Sequence, residues 1–504
     1  MKLERTHNAK RGIIYGFVNK LALLLLPFIV QTIMIRSLGA DYVGIKSLFS
    51  AILQVFNLAE LGLGSAIVFS MYKPISEGNE RELCALLNIY KKLYRVIGLF
   101  IFIVGICIIP FLPYLIKGNY PKDINLTAVY LLYLINTVLT YWLFAYKTSI
   151  LSAYQRFDII SKISTISHLI LYVLQIVLLI FTRNYYIYLI IAISSTILNN
   201  FLIRYYTNKY YPNVQCQGDV NQKVKDDIKI KVMGLMIYKI CGATRNTFDS
   251  IFVSMFIGLI ATAMYNNYYY VISSVSGIMA IVSSSLLAGV GNSIKLESIE
   301  KNRNDMEKLD CVYMLISGFC TMCIFCLYQP FMEIWVGKDL QFSFDIVIMF
   351  GIYFYILKMG DIRCLYSDAS GLWWENRYRA IIETVFNIIL NYLFGIKWGI
   401  CGIIGATILT VLVFGYVSSA YILYKYYFKD GLSRYFLQHI IYAIATVFSS
   451  VVVYKICSLI TGNVWTIISV RVLICFTIGP LCYFLIFLKN KRVKEACRWV
   501  YEKW

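Results

Sequence analysis

The chain of 504 residues is 59% hydrophobic and only 15% charged, with a mean hydropathy of +0.68. Ordinary soluble domains run at about 45–50% apolar and about 25% charged, so a soluble enzyme with one central core is excluded. Segments of about 20 apolar residues, each enough to cross a bilayer, can repeat a dozen times or more at this length. The net charge of +20 therefore points to cationic cytoplasmic loops before it points to nucleic acid.

The N-terminus, MKLERTHNAKRG, resembles a signal-peptide n-region. The apolar stretch behind it, about 25 residues without a small-x-small cleavage site, is too long for an h-region and predicts a retained first helix. Apolar stretches predict fourteen transmembrane helices, near 13–37, 42–72, 96–117, 124–147, 163–182, 186–206, 232–257, 262–292, 310–334, 343–367, 379–395, 400–425, 437–460 and 466–489. An even number puts both termini on one side. With the N-terminus inside, and span-edge residues counted with the loops they adjoin, cytoplasmic segments hold 33 of the 47 Lys and Arg and the opposite loops hold 7. Both termini are expected in the cytoplasm.

The longest polar segment, 208–231, leaves no room for a soluble catalytic domain, and no Walker-type phosphate loop is present. The chain is expected not to be an enzyme and to need no cofactor.

Laying the chain on itself exposes an internal repeat. At an offset of 219, Lys20 falls on Lys239 and Gly39 on Gly258. At 227, Gly62, Gly64 and Ile67 fall on Gly289, Gly291 and Ile294, and at 216 Lys147 and Ala153 fall on Arg363 and Ala369. Six-span units repeat with one orientation, which predicts an all-α membrane protein of two six-helix lobes, 1–207 and 232–425, around a cavity. Residues 208–231 form a cytoplasmic linker, 437–489 two extra helices and 490–504 a basic cytoplasmic tail. Such a two-lobed membrane body is the architecture of a transporter.

The run IRSLGADYVGIKSLFSAILQVFNLAELGLGSAI (35–67) carries a turn at Leu38, Gly39, Tyr42 and Gly44, then LGLGSAI at the second span's end. It resembles the opening of polysaccharide repeat-unit flippases, of O-antigen, capsule or teichoic-acid type, in the multidrug/oligosaccharidyl-lipid/polysaccharide exporter superfamily. The resemblance implies movement of a lipid-linked oligosaccharide, usually on undecaprenyl diphosphate, from the inner to the outer leaflet of a bacterial cytoplasmic membrane. It further implies alternating access through a cationic cavity, C-terminal spans that hold the lipid tail, and a polymerase partner. No catalytic residue set carries over, because flippases of this group share few invariant polar positions.

Intramembrane charges supply the candidate site, since a charge at a helix centre costs about 2.5–3.5 kcal/mol and usually faces a cavity or partner. Gly12, Gly16, Lys20, Pro27 and Gln31 share one face of the first span. Lys20 and Lys239 either present ammonium groups to a diphosphate or snorkel to the interface. Arg245 lies deeper, either facing substrate with Asp249 orienting it or forming an ion pair with Asp249 alone. Lys358, Asp361, Arg363 and Asp368 form either the cytoplasmic mouth of the path or an interfacial salt-bridge set. Glu60 either carries a coupling proton, H+ or Na+ being the ions considered, or braces a lobe contact. In YNNYYY (265–270), Asn266, Asn267, Tyr268 and Tyr269 either contact sugar or belong to an aromatic belt. Arg471 is expected at lipid headgroups.

Cys320, Cys323 and Cys326 have a metal-like spacing but lie in an apolar helix with no fourth ligand nearby in sequence, so no metal is expected. Three alternatives to the repeat-unit flippase stand beside it. A lipid II-type flippase is the nearest, a drug or cation exporter of the same fold would favour an acidic cavity, and a membrane polysaccharide polymerase or glycosyltransferase would need catalytic segments this chain lacks.

Overall fold

The computed structural model describes residues 25–57, 63–118, 120–154, 156–219, 247–488 and 490–503. Every regular element among them is helical. In chain order these are α1 (Leu25–Ser37), α2 (Ala40–Asn57), α3 (Leu63–Glu77), α4 (Glu80–Ile108), α5 (Leu126–Trp142), α6 (Thr148–Ala153), α7 (Phe157–Thr182), α8 (Tyr185–Tyr210) and α9 (Thr247–Phe256). Then come α10 (Leu259–Leu296), α11 (Ile299–Val336), α12 (Phe344–Lys358), α13 (Asp361–Ala369), α14 (Trp373–Thr410), α15 (Ser419–Leu423), α16 (Leu432–Ser458), α17 (Val464–Phe487) and α18 (Lys491–Lys503).

Seven described helical runs are long and apolar enough to cross a membrane, and α5 with Ala145–Ala153, bent by 42°, makes an eighth. The side chains confirm the solvent. On α7, Ile166, Leu169, Val173, Val177 and Phe181 are exposed while Ser167 and Gln175 are buried. The Gln175 amide donates to the Tyr188 carbonyl at 3.2 Å. On α16, Ile440, Ile444, Val447 and Phe448 are exposed while Gln438, His439, Thr446, Ser449 and Ser450 are buried. Apolar residues outward and polar residues inward is the arrangement lipid demands, because polar groups can be satisfied only inside the protein. The chain is a multi-pass membrane protein.

One run, Glu375–Phe428, has 54 residues. A straight helix of that length would reach about 80 Å, far beyond a hydrocarbon core of about 30 Å. It turns back at Gly399 (φ 58°, ψ −133°). The Asn387 amide donates to the Thr407 and Thr410 hydroxyls at 3.1 and 3.2 Å, and Arg379 donates to the Phe414 carbonyl at 3.2 Å. Each pair's numbers add to nearly the same value, as two antiparallel limbs about residue 398 require. The limbs fall on the stretches 379–395 and 400–425 expected as separate spans.

The structure forms two compact units, Met1–Ala263 and Met264–Trp504. The division falls in the second turn of α10, so α9, which the sequence predicts in the second lobe, belongs to the first unit. In the first unit α9 meets the end of the α4 run. Ser254 donates its hydroxyl to the Leu115 carbonyl at 2.8 Å, and Lys117 Nζ donates to the Phe256 carbonyl at 2.6 Å, capping the C-terminus of α9. In the second unit α16 and α17 pack along α11, and α18 lies against α11 as well.

Within each unit the match at offset 216 has a structural counterpart. Lys147 and Arg363 belong to short helical segments that follow a break, and Ala153 and Ala369 are the last residues of α6 and α13. Both cations are buried. Lys147 donates to the Asn208 side-chain oxygen, and Arg363 to the carbonyls of Tyr416 and Gly415 at 2.6 and 2.9 Å. Those acceptors lie in a π-helical stretch, Val411–Ser418.

Candidate substrate cavity

In the second unit a cavity of about 590 Å³ lies between one face of α10 and the α12–α13 elbow. That size is within the range of about 300–1,000 Å³ typical of ligand sites. From α10 come Tyr269, Ile272, Ser273, Ser276, Gly277 and Ala280. At 100° per residue these share one face of the helix. From the elbow come Leu357, Lys358, Asp361, Cys364, Leu365 and Asp368, again one helical face.

Lys358 donates to Asp361 Oδ2 at 2.7 Å, and the Tyr313 hydroxyl donates to the same oxygen at 2.5 Å. The Lys358 side chain is 5% exposed and that of Asp361 24%. Asp361 thus presents its carboxylate to the cavity while two donors fix its orientation. Lys358 is neutralised by this pair, and Asp368 adds a second carboxylate to the lining. Ile272, Leu357 and Leu365 make much of the wall apolar, and the hydroxyls of Tyr269, Ser273 and Ser276 and the two carboxylates are set into it with an acidic balance.

The candidate residues are distributed as follows. Lys358 and Asp361 meet in the cavity; Arg363, one helical face away, is 1% exposed and anchors the π-helical stretch instead. Of the YNNYYY run, Tyr269 lines the cavity. Tyr268 is buried between α10 and α11, where its hydroxyl donates to Gln329 Oε1 at 2.9 Å and accepts from the Phe342 N–H at 3.2 Å. Asn267 is fully buried and Asn266 partly so. In the first unit Gln31 accepts from Lys46 Nζ at 3.4 Å, joining α1 to α2. Asp249 is buried on α9 beside Thr247, Ser250 and Ser254. Lys20, Glu60, Lys239 and Arg245 lie outside the described residues.

Two features escaped the sequence reading. His439 Nε2 on α16 lies 2.8 Å from Asp310 Oδ2 on α11, both nearly unexposed. The rings of Tyr416, Tyr435 and Tyr442 surround the imidazole. Arg471, expected at headgroups, turns inward and donates to the Cys326 carbonyl at 3.1 Å. Neither pairing has a local signal, because the partners are more than a hundred residues apart.

No protein-family model and no curated protein sequence matches the chain. Solved structures do. A multidrug resistance MATE family transporter of the MOP superfamily, in an inward-facing conformation, aligns with a TM-score of 0.64 at 13% identity, covering 83% of this chain and 98% of its own. The lipid II flippase MurJ, inward closed, aligns with a TM-score of 0.63 at 17% identity, covering 94% and 98%. A point mutant of the Vibrio cholerae MATE transporter VcmN gives 0.57 at 14%, covering 86% and 99%. The chain has the fold of these transporters. Nearly the full length of each is represented.

Proposed function

We propose that the chain is a flippase for a lipid-linked oligosaccharide, an undecaprenyl-diphosphate-linked repeat unit. It carries this cargo from the inner to the outer leaflet of the bacterial cytoplasmic membrane by alternating access, with no catalytic chemistry of its own. The observation that carries the reading is the cavity lining. Tyr269, Ser273, Ser276, Asp361 and Asp368 offer the donors and acceptors that sugar hydroxyls need, and Gly277 and Ala280 leave room for a bulky polar group. The coverage of 94% by the MurJ likeness, against 83% for the first MATE structure, supports a lipid-linked cargo over a free drug.

In this reading both termini are cytoplasmic, as the 33-to-7 division of Lys and Arg supports. Lys20, Lys239 and Arg245 receive the diphosphate, and Asp249 and Gln31 complete the binding set. The oligosaccharide enters the cavity beside Asp361 and Asp368 while the lipid tail stays in the bilayer. Two negative charges leaving a negative interior gain about 4–5 kcal/mol at 100 mV, so membrane potential can bias export without a coupling ion at Glu60.

A second reading, a cation exporter of the same fold, is favoured by one observation: Lys358 is neutralised by Asp361, and Asp368 adds a further carboxylate to the cavity lining. Leaflet-resolved quantification of lipid-linked oligosaccharide in cells separates the two. Depletion of the protein, and a Lys20→Ala/Lys239→Ala/Arg245→Ala variant at wild-type level, should both accumulate the intermediate in the cytoplasmic leaflet. Accumulation on depletion alone keeps the flippase and discards those cations; an intermediate that still reaches the outer leaflet rejects the flippase.

A further inference from the structure

We propose that Cys326, Cys457 and Cys475 form a three-thiolate site for a soft monovalent cation, Cu(I). The inference is independent of the transport reading. The three residues come from α11, α16 and α17, so nothing in local sequence forces them together. Their sulfurs nevertheless lie within 4.8 Å of one another, and all three residues are buried. The CxxCxxC spacing on α11 is not itself the site: only its last member, Cys326, belongs to it.

The geometry selects the ion. Metal–sulfur bonds of about 2.3 Å put the sulfurs of a planar three-coordinate site about 4 Å apart, so closure needs shifts of only about half an ångström. Structural zinc takes four ligands. Cys323, one turn before Cys326 on α11, reaches the Cys475 thiol, but among the described residues no further His, Cys or carboxylate lies within that distance of all three sulfurs. Soft thiolates in a three-fold set suit Cu(I). The surroundings exclude hard, hydrated ions, since Met322 and Val453 pack against the sulfurs without exposure.

Charge is the remaining requirement. When Cu(I) binds, three S–H protons leave for solvent and three Cu–S bonds form, giving a complex of net charge −2. Arg471 stands one helical turn before Cys475. It is held at the site by its 3.1 Å bond to the Cys326 carbonyl, and its Nε has no hydrogen-bond partner among the described residues. A bound trithiolate gives that guanidinium a counter-charge. The ion would tie α16 and α17 to α11.

The test uses the full chain, reduced and anaerobic in nanodiscs, titrated with Cu(I) against bicinchoninate. Wild type should take up one more equivalent than Cys457→Ser and than Cys475→Ser, while Cys320→Ser, outside the site, keeps wild-type uptake. X-ray absorption at the copper edge should show three sulfur neighbours at about 2.3 Å. Should the serine variants misfold, the wild-type absorption spectrum decides alone. Equal uptake by wild type and the well-folded site variants, a shell of nitrogen or oxygen, or no stoichiometric uptake would overturn the proposal; so would a Cys457–Cys475 disulfide that forms in place of copper binding.

Discussion

Gly39 and Gly258, the residues paired by the sequence repeat, end their helices in the same way. Each takes a positive φ, 115° and 127°. Each donates its N–H to the carbonyl five residues back, Met34 at 3.3 Å and Val253 at 3.1 Å. In both cases a new helix starts at the next residue, Ala40 or Leu259. Two sequence repeats that share a turn down to its hydrogen bond are expected from a duplicated fold, and the turn needs a residue without a Cβ.

Replacing either glycine by alanine should therefore cost about 1–2 kcal/mol. The penalty at Gly258 should be the larger, because a Cβ there would lie 3.0 Å from the Lys117 carbonyl. Thermal unfolding of the detergent-solubilised protein, followed by size-exclusion fluorescence, measures it. Unchanged melting temperatures would contradict the strained turn.

Arg363→Ala should lower stability without specifically altering cargo recognition. It deprives the carbonyls of Tyr416 and Gly415 of charged donors worth about 1.5–3 kcal/mol each. Lys358→Ala should do the reverse, changing cargo binding at near-normal stability, since Asp361 retains its Tyr313 donor. Paired melting and binding measurements on the two variants check this division.

Breaking the Asp310–His439 pair should be among the most destabilising single changes outside the cavity. Leaving one buried polar partner unpaired typically costs about 1–3 kcal/mol. Asp310→Asn and His439→Leu together should cost clearly less than their sum, giving a coupling energy within about 0.5–3 kcal/mol for contacting groups. Additive effects would show that the 2.8 Å approach carries no energetic link.

The hairpin at Gly399 predicts a cross-link. Cysteines placed at Asn387 and Thr407, whose side chains meet at 3.1 Å, should form a disulfide under mild oxidation, while a pair at Asn387 and Ile396 should not. Mass spectrometry of the digested protein reads the outcome. Failure of the first pair would argue for one continuous helix.

Much of this architecture was legible from the sequence. Apolar stretches located the helices, because in lipid every span must be apolar along its length. The repeat offsets located equivalent turns, because Gly39 and Gly258 are constrained by backbone geometry that leaves a mark in residue type. What sequence could not resolve is which side of a uniformly apolar helix faces inward. Tyr268 and Tyr269 are adjacent and identical in type, yet one is sealed against α11 and the other lines the cavity. The α10 face of the cavity escaped notice for the same reason, since Ser273, Ser276 and Gly277 are unremarkable singly. Asp310 with His439, and Cys326 with Cys457 and Cys475, depend on contacts between distant helices that no local pattern records.

The most direct measurement is translocation by the purified chain in proteoliposomes. A diphosphate-linked polyprenyl oligosaccharide is placed in one leaflet, and its sugar is followed by an impermeant glycosidase in the other, with an organic dye cation run in parallel. Oligosaccharide should move well above empty liposomes, at least ten-fold more weakly in Asp361→Asn/Asp368→Asn, with no dye export. Dye export with an immobile oligosaccharide would contradict the flippase and establish the cation exporter.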